Sequence, residues 1–220
     1  MFPTPNGETV LFTVPDGFAS HSVAIAAMNL ADPTPQIIVP NYAQMPRFNR
    51  TQPYAAVNHA SLLSPDGRWL AVTTNDPNND ATLKVIDLER LDLPPIEVSA
   101  GARGDVISEM FFTPDSSRLL FVTGLTGGGN NSLVALDLNS ASDFRVRRGA
   151  FWLGAVSPDG RRVAIDEWQT TERGDRFLNL VIVDIESSAH TTIFEGARIN
   201  DEGRLEDVNF VYPLAWLRAG

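Results

Sequence analysis

Cysteine is missing from this 220-residue chain, and its absence excludes disulfide staples, thiolate nucleophiles and cysteine-ligated zinc. It leaves the redox compartment open. Lysine is nearly missing too: Lys84 is the only one among 17 basic side chains, set against 27 Asp and Glu. A net charge of −10 does not provide the clustered basic face that phosphate backbones require, so nucleic acid is not an expected partner. The arginine bias is assigned to genome composition or surface ion pairing, not to chemistry. No apolar run approaches the roughly 18 residues that cross a bilayer, so no membrane span is expected. Residues Met1 to Gly7 hold neither a basic nor an apolar segment of secretory type, and no signal peptide is read in them. What remains is an ordinary globular balance, 43% hydrophobic and 20% charged, in a chain able to bury a sizeable core as one domain or two small ones.

The chain repeats itself, and that sets the fold. Ser64-Pro65-Asp66-Gly67 recurs as Thr113-Pro114-Asp115-Ser116 and as Ser157-Pro158-Asp159-Gly160, with weaker copies at Thr4-Pro5-Asn6-Gly7 and at the C-terminal Leu217 to Gly220. After each of the first four copies comes an alternating strand, with Val10 and Phe12, Leu70 and Val72, Leu119 and Phe121, Val163 and Ile165 in equivalent places. Further on, a second apolar strand ends on Asn29, Asp87, Asp137 or Asp184, each followed by an aliphatic residue. Pro fixes φ for the turn, Asp tolerates the next position and Gly supplies the positive φ, so the motif closes a β-hairpin. A strand before the hairpin (59–63, 108–112, 151–156) and a short one after the Asp (95–99, 144–148, 190–194) complete four strands per unit, with no helix expected. The same Asp in the same phase of every unit implies turn capping, because a catalytic group is needed once.

Four-stranded units without helices pack most simply as blades around an axis, each covered by its neighbours. The sequence therefore predicts an all-β protein, a β-propeller of about four antiparallel blades over 1–220, with units near 1–58, 59–107, 108–150 and 151–210 and an orphan first strand at 211–217. The units "SPDGRWLAV…LKVIDL" and "SPDGRRVAI…LVIVDI" resemble the PD40, or WD40-like, repeats of TolB-type propellers, which also occur in the propeller domains of prolyl-oligopeptidase-like enzymes. The resemblance covers most of the chain and implies a bacterial, periplasmic or extracellular setting and, in that family, protein association at the envelope. It is specific for fold and not for activity.

Unit one starts almost at its hairpin, so its first strand is expected to be missing. Either 211–217 pairs with 8–14 and closes a small ring, or the chain is an arc of a larger propeller, the reading the sequence favours. The long connections, 40–58, 75–81, 101–106, 124–131, 167–176 and 195–208, all fall on the end opposite the Pro-Asp-Gly hairpins, and long loops on a rigid scaffold are where binding usually lives. They lean acidic. Asp76, Asp80 and Glu167 are candidates for a cationic or hydrogen-bonding partner, and Arg173, on the same loop as Glu167, is a further binding candidate. Trp168 is a candidate aromatic anchor, with Tyr42, Phe48 and Tyr54 as similar ones. Trp69, Trp152 and Trp216 are expected to pack between blades.

Other constellations fail. The Asx-rich run 75–80 lacks the EF-hand glycine and distal glutamate, and the Gly-rich run 124–129 joins strand to strand with no helix to hold phosphate. His21, His59 and His190 are not spaced for a metal, and no Gly-x-Ser-x-Gly elbow occurs. Neither catalytic residue, metal nor cofactor is therefore expected. The functional expectation is a non-catalytic binding or scaffolding propeller that receives a protein, a peptide or a small ligand. The alternative is the gating propeller of a prolyl-oligopeptidase-like serine hydrolase whose catalytic domain lies outside this chain.

Overall fold

The computed structural model describes residues 2–3, 9–15, 23–42, 61–75, 81–100, 105–125, 130–170, 176–194, 198–199 and 205–206. Every regular element among them is a β-strand. The chain divides into two compact units, Met1–Ser108 and Glu109–Gly220.

In the first unit, β1 (Phe2–Pro3), β2 (Thr9–Pro15), β3 (Val23–Asn29) and β4 (Gln36–Tyr42) form one antiparallel sheet in chain order. A second such sheet holds β5 (Ser61–Leu63), β6 (Trp69–Asn75), β7 (Ala81–Asp87) and β8 (Ile96–Ser99). Trp69, Leu70, Ala71 and Val72 are all buried. Neighbours along a strand face opposite sides, so both faces of β6 are covered. Leu70, Val72 and Ile86 pack against Ala27 of the first sheet. One expectation is corrected here: Phe2 and Pro3 pair with Leu11 and Val10, so the first sheet supplies its own first strand. Two residues are too few to show alternation, and Pro is tolerated on an edge. The pair occupies, at those positions, the edge that a closed ring reserves for 211–217; the latter lie outside the described residues.

β9 (Asp105–Phe112), which crosses into the second unit at Glu109, joins β10 (Arg118–Leu125), β11 (Asn131–Asp137) and the first half of β12 (Ser142–Val156) in a third blade. The second half of β12 opens a fourth, followed by β13 (Arg162–Thr170), β14 (Arg176–Asp184) and β15 (His190–Phe194). β12 changes partner without a loop: residues 142–149 pair with β11 and 150–156 with β13. The core between these blades holds Leu120, Val122 and Leu133 from the third, with Phe151, Ile165, Val181 and Val183 from the fourth. Residues 195–208, expected to be one loop, contain β16 (Arg198–Ile199) and β17 (Leu205–Glu206). β16 continues the β15 edge by pairing with Arg176 and Phe177, and β17 pairs with β16. The four sheets are thus propeller-like blades, each a meander.

The recurrent hairpin is more fully bonded than its turn propensity requires. In blade two, the Ser64 hydroxyl donates to Asp66 at 2.5 Å and accepts the Trp69 N–H at 2.9 Å, while Asp66 accepts the Arg68 N–H. Thr113 with Asp115 and Arg118, and Ser157 with Asp159 and Arg162, repeat the pattern. The fourth turn position has φ of 77° at Gly67, 70° at Gly160 and 57° at Ser116. The far Asp caps the other end. Asp137 accepts the Asn139 and Ser140 N–H groups, and Asp184 accepts that of Ser187. Burial works to raise Asp87, but bonds from Arg68 and Arg90 hold its carboxyl below the usual range.

Candidate functional site

The turns and caps account for the residues that recur in every blade, so a site must be built from what does not recur. β13 provides it. The core face of blade four carries Val163 and Ile165. Asp166 and Trp168, out of phase with them, lie on the opposite face. Ladder partners share a face, and Asp166 pairs with Trp152 on β12 and Leu180 on β14, while Trp168 pairs with Ala150 and Leu178. Asp166 is therefore ringed by Trp152, Trp168 and Leu180.

The two indoles meet edge to face, with centroids 5.2 Å apart and planes at 65°. Trp152 is 46% exposed whereas Asp166 is only 7% exposed. No described residue donates a hydrogen bond to the Asp166 carboxyl, and the Trp168 Nε1 is buried without an acceptor. Burial among these apolar neighbours pushes the Asp166 carboxyl up to about 6, because a charge there loses part of its water and no described residue donates to it.

A second carboxyl comes from the third blade. Glu109, on β9, has φ of 47°, and its Oε2 accepts the Leu153 N–H of β12 at 2.6 Å. Burial pushes Glu109 up, the Leu153 N–H works against that, and the Asp166 charge raises it further, to about 7. As anions the two carboxyls repel, so the pair gives up its protons in two steps.

Glu167 points the other way. It accepts two bonds from Arg147, Nε to Oε1 at 2.8 Å and Nη2 to Oε2 at 2.7 Å. This ties the last strand of blade three to the second strand of blade four. A side chain on Gly149 would place its Cβ 3.2 Å from Glu167 Oε1, so the chain is bare where the ion pair crosses it. Two expectations are corrected. Glu167 is committed to Arg147 and is not a free loop acid, and both Glu167 and Trp168 are ladder residues, because β13 and β14 pair as far as Thr170 and Arg176. The connection is only 171–175. Trp152, expected between blades, is half exposed, whereas Trp69 is buried. Tyr42 ends β4 opposite Val23. Asp76, Asp80, Arg173, Tyr54, Phe48 and Trp216 lie outside the described residues. The structure thus joins Trp168, of the sequence candidates, to Asp166, Glu109 and Trp152, which sequence reasoning did not select as site residues.

Among the described residues no helix is long and apolar enough to cross a membrane. No protein-family model matches the sequence, and no curated protein matches it. Among solved structures, the β-propeller domain of the Trilobed protease from Pyrococcus furiosus is 20% identical, with 87% of this chain and 55% of that one covered at a TM-score of 0.55. A prolyl endopeptidase is 13% identical, with 89% of this chain and 29% of that one covered at a TM-score of 0.54. TolB from Acinetobacter baumannii is 18% identical, with 89% and 43% covered at a TM-score of 0.48. The chain spans about half the length of the TolB and Trilobed protease structures. Identities this low show fold alone. The chain accordingly has a propeller-like, four-stranded-blade fold like that of the Trilobed protease propeller domain, as its repeats implied.

Proposed function

We propose that this chain is part of a β-propeller that binds peptides without chemistry of its own, and that it serves as the substrate-admitting domain of a serine peptidase whose hydrolase domain is separate from it. The observation that carries the reading is the non-recurring tryptophan–carboxylate face of blade four, an exposed aromatic surface on an otherwise turn-and-cap scaffold. The likeness to two protease structures at TM-scores of 0.55 and 0.54 supports the peptidase setting. Stand-alone protein association in the bacterial envelope is the second reading, supported by the resemblance of the "SPDGRWLAV" units to TolB-type repeats. A fluorophosphonate probe separates the two when applied to the natural polypeptide that contains these residues. Serine labelling is expected, together with a Gly-x-Ser-x-Gly and later Asp and His in its coding sequence. Absence of both overturns the peptidase setting. Peptide binding itself is read by calorimetry on the purified chain.

A further inference from the structure

We infer that the face of blade four formed by Trp152, Asp166 and Trp168 is a recognition site for a positively charged side chain, guanidinium or ammonium, on a peptide. The inference rests on the peptide-binding reading and gives it a ligand class.

Three independent features converge on a cation. The first is an acceptor with nothing to accept from: Asp166 is 7% exposed and receives no hydrogen bond from a described residue, although a carboxylate has room for about four. Arg147, on the adjoining strand, is already spent on both oxygens of Glu167. The second feature is the aromatic corner. Trp152 and Trp168 meet at 65° on the same blade face, Trp152 opposite Asp166 in the ladder and Trp168 two residues along the same strand. Indole faces attract cations within about 6 Å of their centroids, and a flat guanidinium stacks on one while forking toward a carboxylate. The third is excess charge of one sign. Glu109 adds a second carboxyl within electrostatic reach of Asp166, and the indole and leucine walls lower the local dielectric in which a cation would pair.

A buried carboxyl without a partner is a standing cost to the fold. An arriving cation removes that cost, whereas a neutral side chain of the same shape leaves it in place. Charge, not size, is therefore what the face discriminates. Glu109 acts at longer range, because its own Oε2 is held by the Leu153 N–H.

The test is calorimetric titration of the whole chain at pH 8 with four blocked tripeptides, Gly-Xaa-Gly, in which Xaa is arginine, lysine, citrulline or norleucine. The two charged peptides are expected to bind at least roughly tenfold more tightly than the neutral two, the discrimination given by a hydrogen bond to a charged group. Asp166→Asn is expected to bring the charged peptides down to the neutral level while its unfolding midpoint does not fall. Trp152→Ala, at a half-exposed position, is expected to weaken the charged peptides as well. Equal binding of charged and neutral peptides, or unchanged binding by Asp166→Asn, overturns the cation site and leaves the peptide-binding reading standing. No saturable binding of any peptide up to millimolar concentration overturns both.

Discussion

Replacing Asp166 with asparagine should make the protein more stable, and the gain should depend on pH in a defined way. The carboxyl moves from an ordinary 3.8 to about 6 on folding, roughly 2 units, and each unit is worth about 1.4 kcal/mol. An acid whose folded value is raised holds its proton more tightly in the folded state, so its penalty is absent below about pH 4 and grows as pH rises. It is complete above the folded value, at about 3 kcal/mol. Asparagine is nearly the same shape but is also unsatisfied there, which reduces the expected gain to about 1 to 3 kcal/mol. The second carboxyl follows, since Glu109 stands at about 7 partly because of the Asp166 charge and should titrate lower in the variant. Urea unfolding of both proteins at pH 4, 6 and 8 reads the effect as a difference. The capping carboxylates of Asp87, Asp137 and Asp184, held low in both proteins, cancel from it. The variant should gain little at pH 4 and most at pH 8. A difference that is flat across this range, or a variant less stable at pH 8, would refute the reasoning that Asp166 is a buried charge with no partner among the described residues.

Breaking the Arg147–Glu167 pair from one side, by Glu167→Gln, should cost about 3 kcal/mol, since the side chains are only 15% and 7% exposed; the double variant Arg147→Met with Glu167→Leu should recover most of it in a urea double-mutant cycle. Gly160→Ala should cost about 1 to 2 kcal/mol, because φ is 70° and the new Cβ would meet Thr113 Cβ at 3.4 Å. Thermal unfolding reads the Gly160→Ala loss as a lowered midpoint. Phe151→Ala, at a fully buried ring in the core between blades three and four, should cost about 3 to 5 kcal/mol on urea unfolding.

The blade pattern was legible because it is local. Ser64, Asp66 and Gly67 are bonded to one another and to residues within five positions, so four tetrapeptides suffice to reveal four hairpins. The capping role of Asp87, Asp137 and Asp184 was legible for the same reason: their N–H donors lie two or three residues on. The Arg147–Glu167 pair was not, since 20 residues separate its partners, and the opposite charges of many neighbours would have matched as well. Loop length misled at β13, where polar residues Asp166 to Thr170 continue a ladder. The polar residues there alternate between the two faces, with Asp166 outside the core and Glu167 on the core side holding its own ion-pair partner, and they do not mark the end of the strand.

Trp152 shows why the site itself was out of reach. Counting back from Val156, whose partner Val163 is in the core, strict alternation places Trp152 on the core face and Phe151 and Leu153 outside it. The ladder instead slips between Leu153 and Ala155, and one extra residue exchanges the two faces. Phe151 and Leu153 turn inward, and Trp152 turns outward to stand opposite Asp166. The sequence carries the residues of the aromatic–carboxylate corner, but their meeting depends on that single bulge, which no periodicity announces. The same slip places Leu153 where its N–H can be taken by Glu109 from blade three. One irregularity in β12 thus assembles both halves of the candidate site, and removing it would return Trp152 to the core side and dissolve the corner while leaving the four-stranded blade intact.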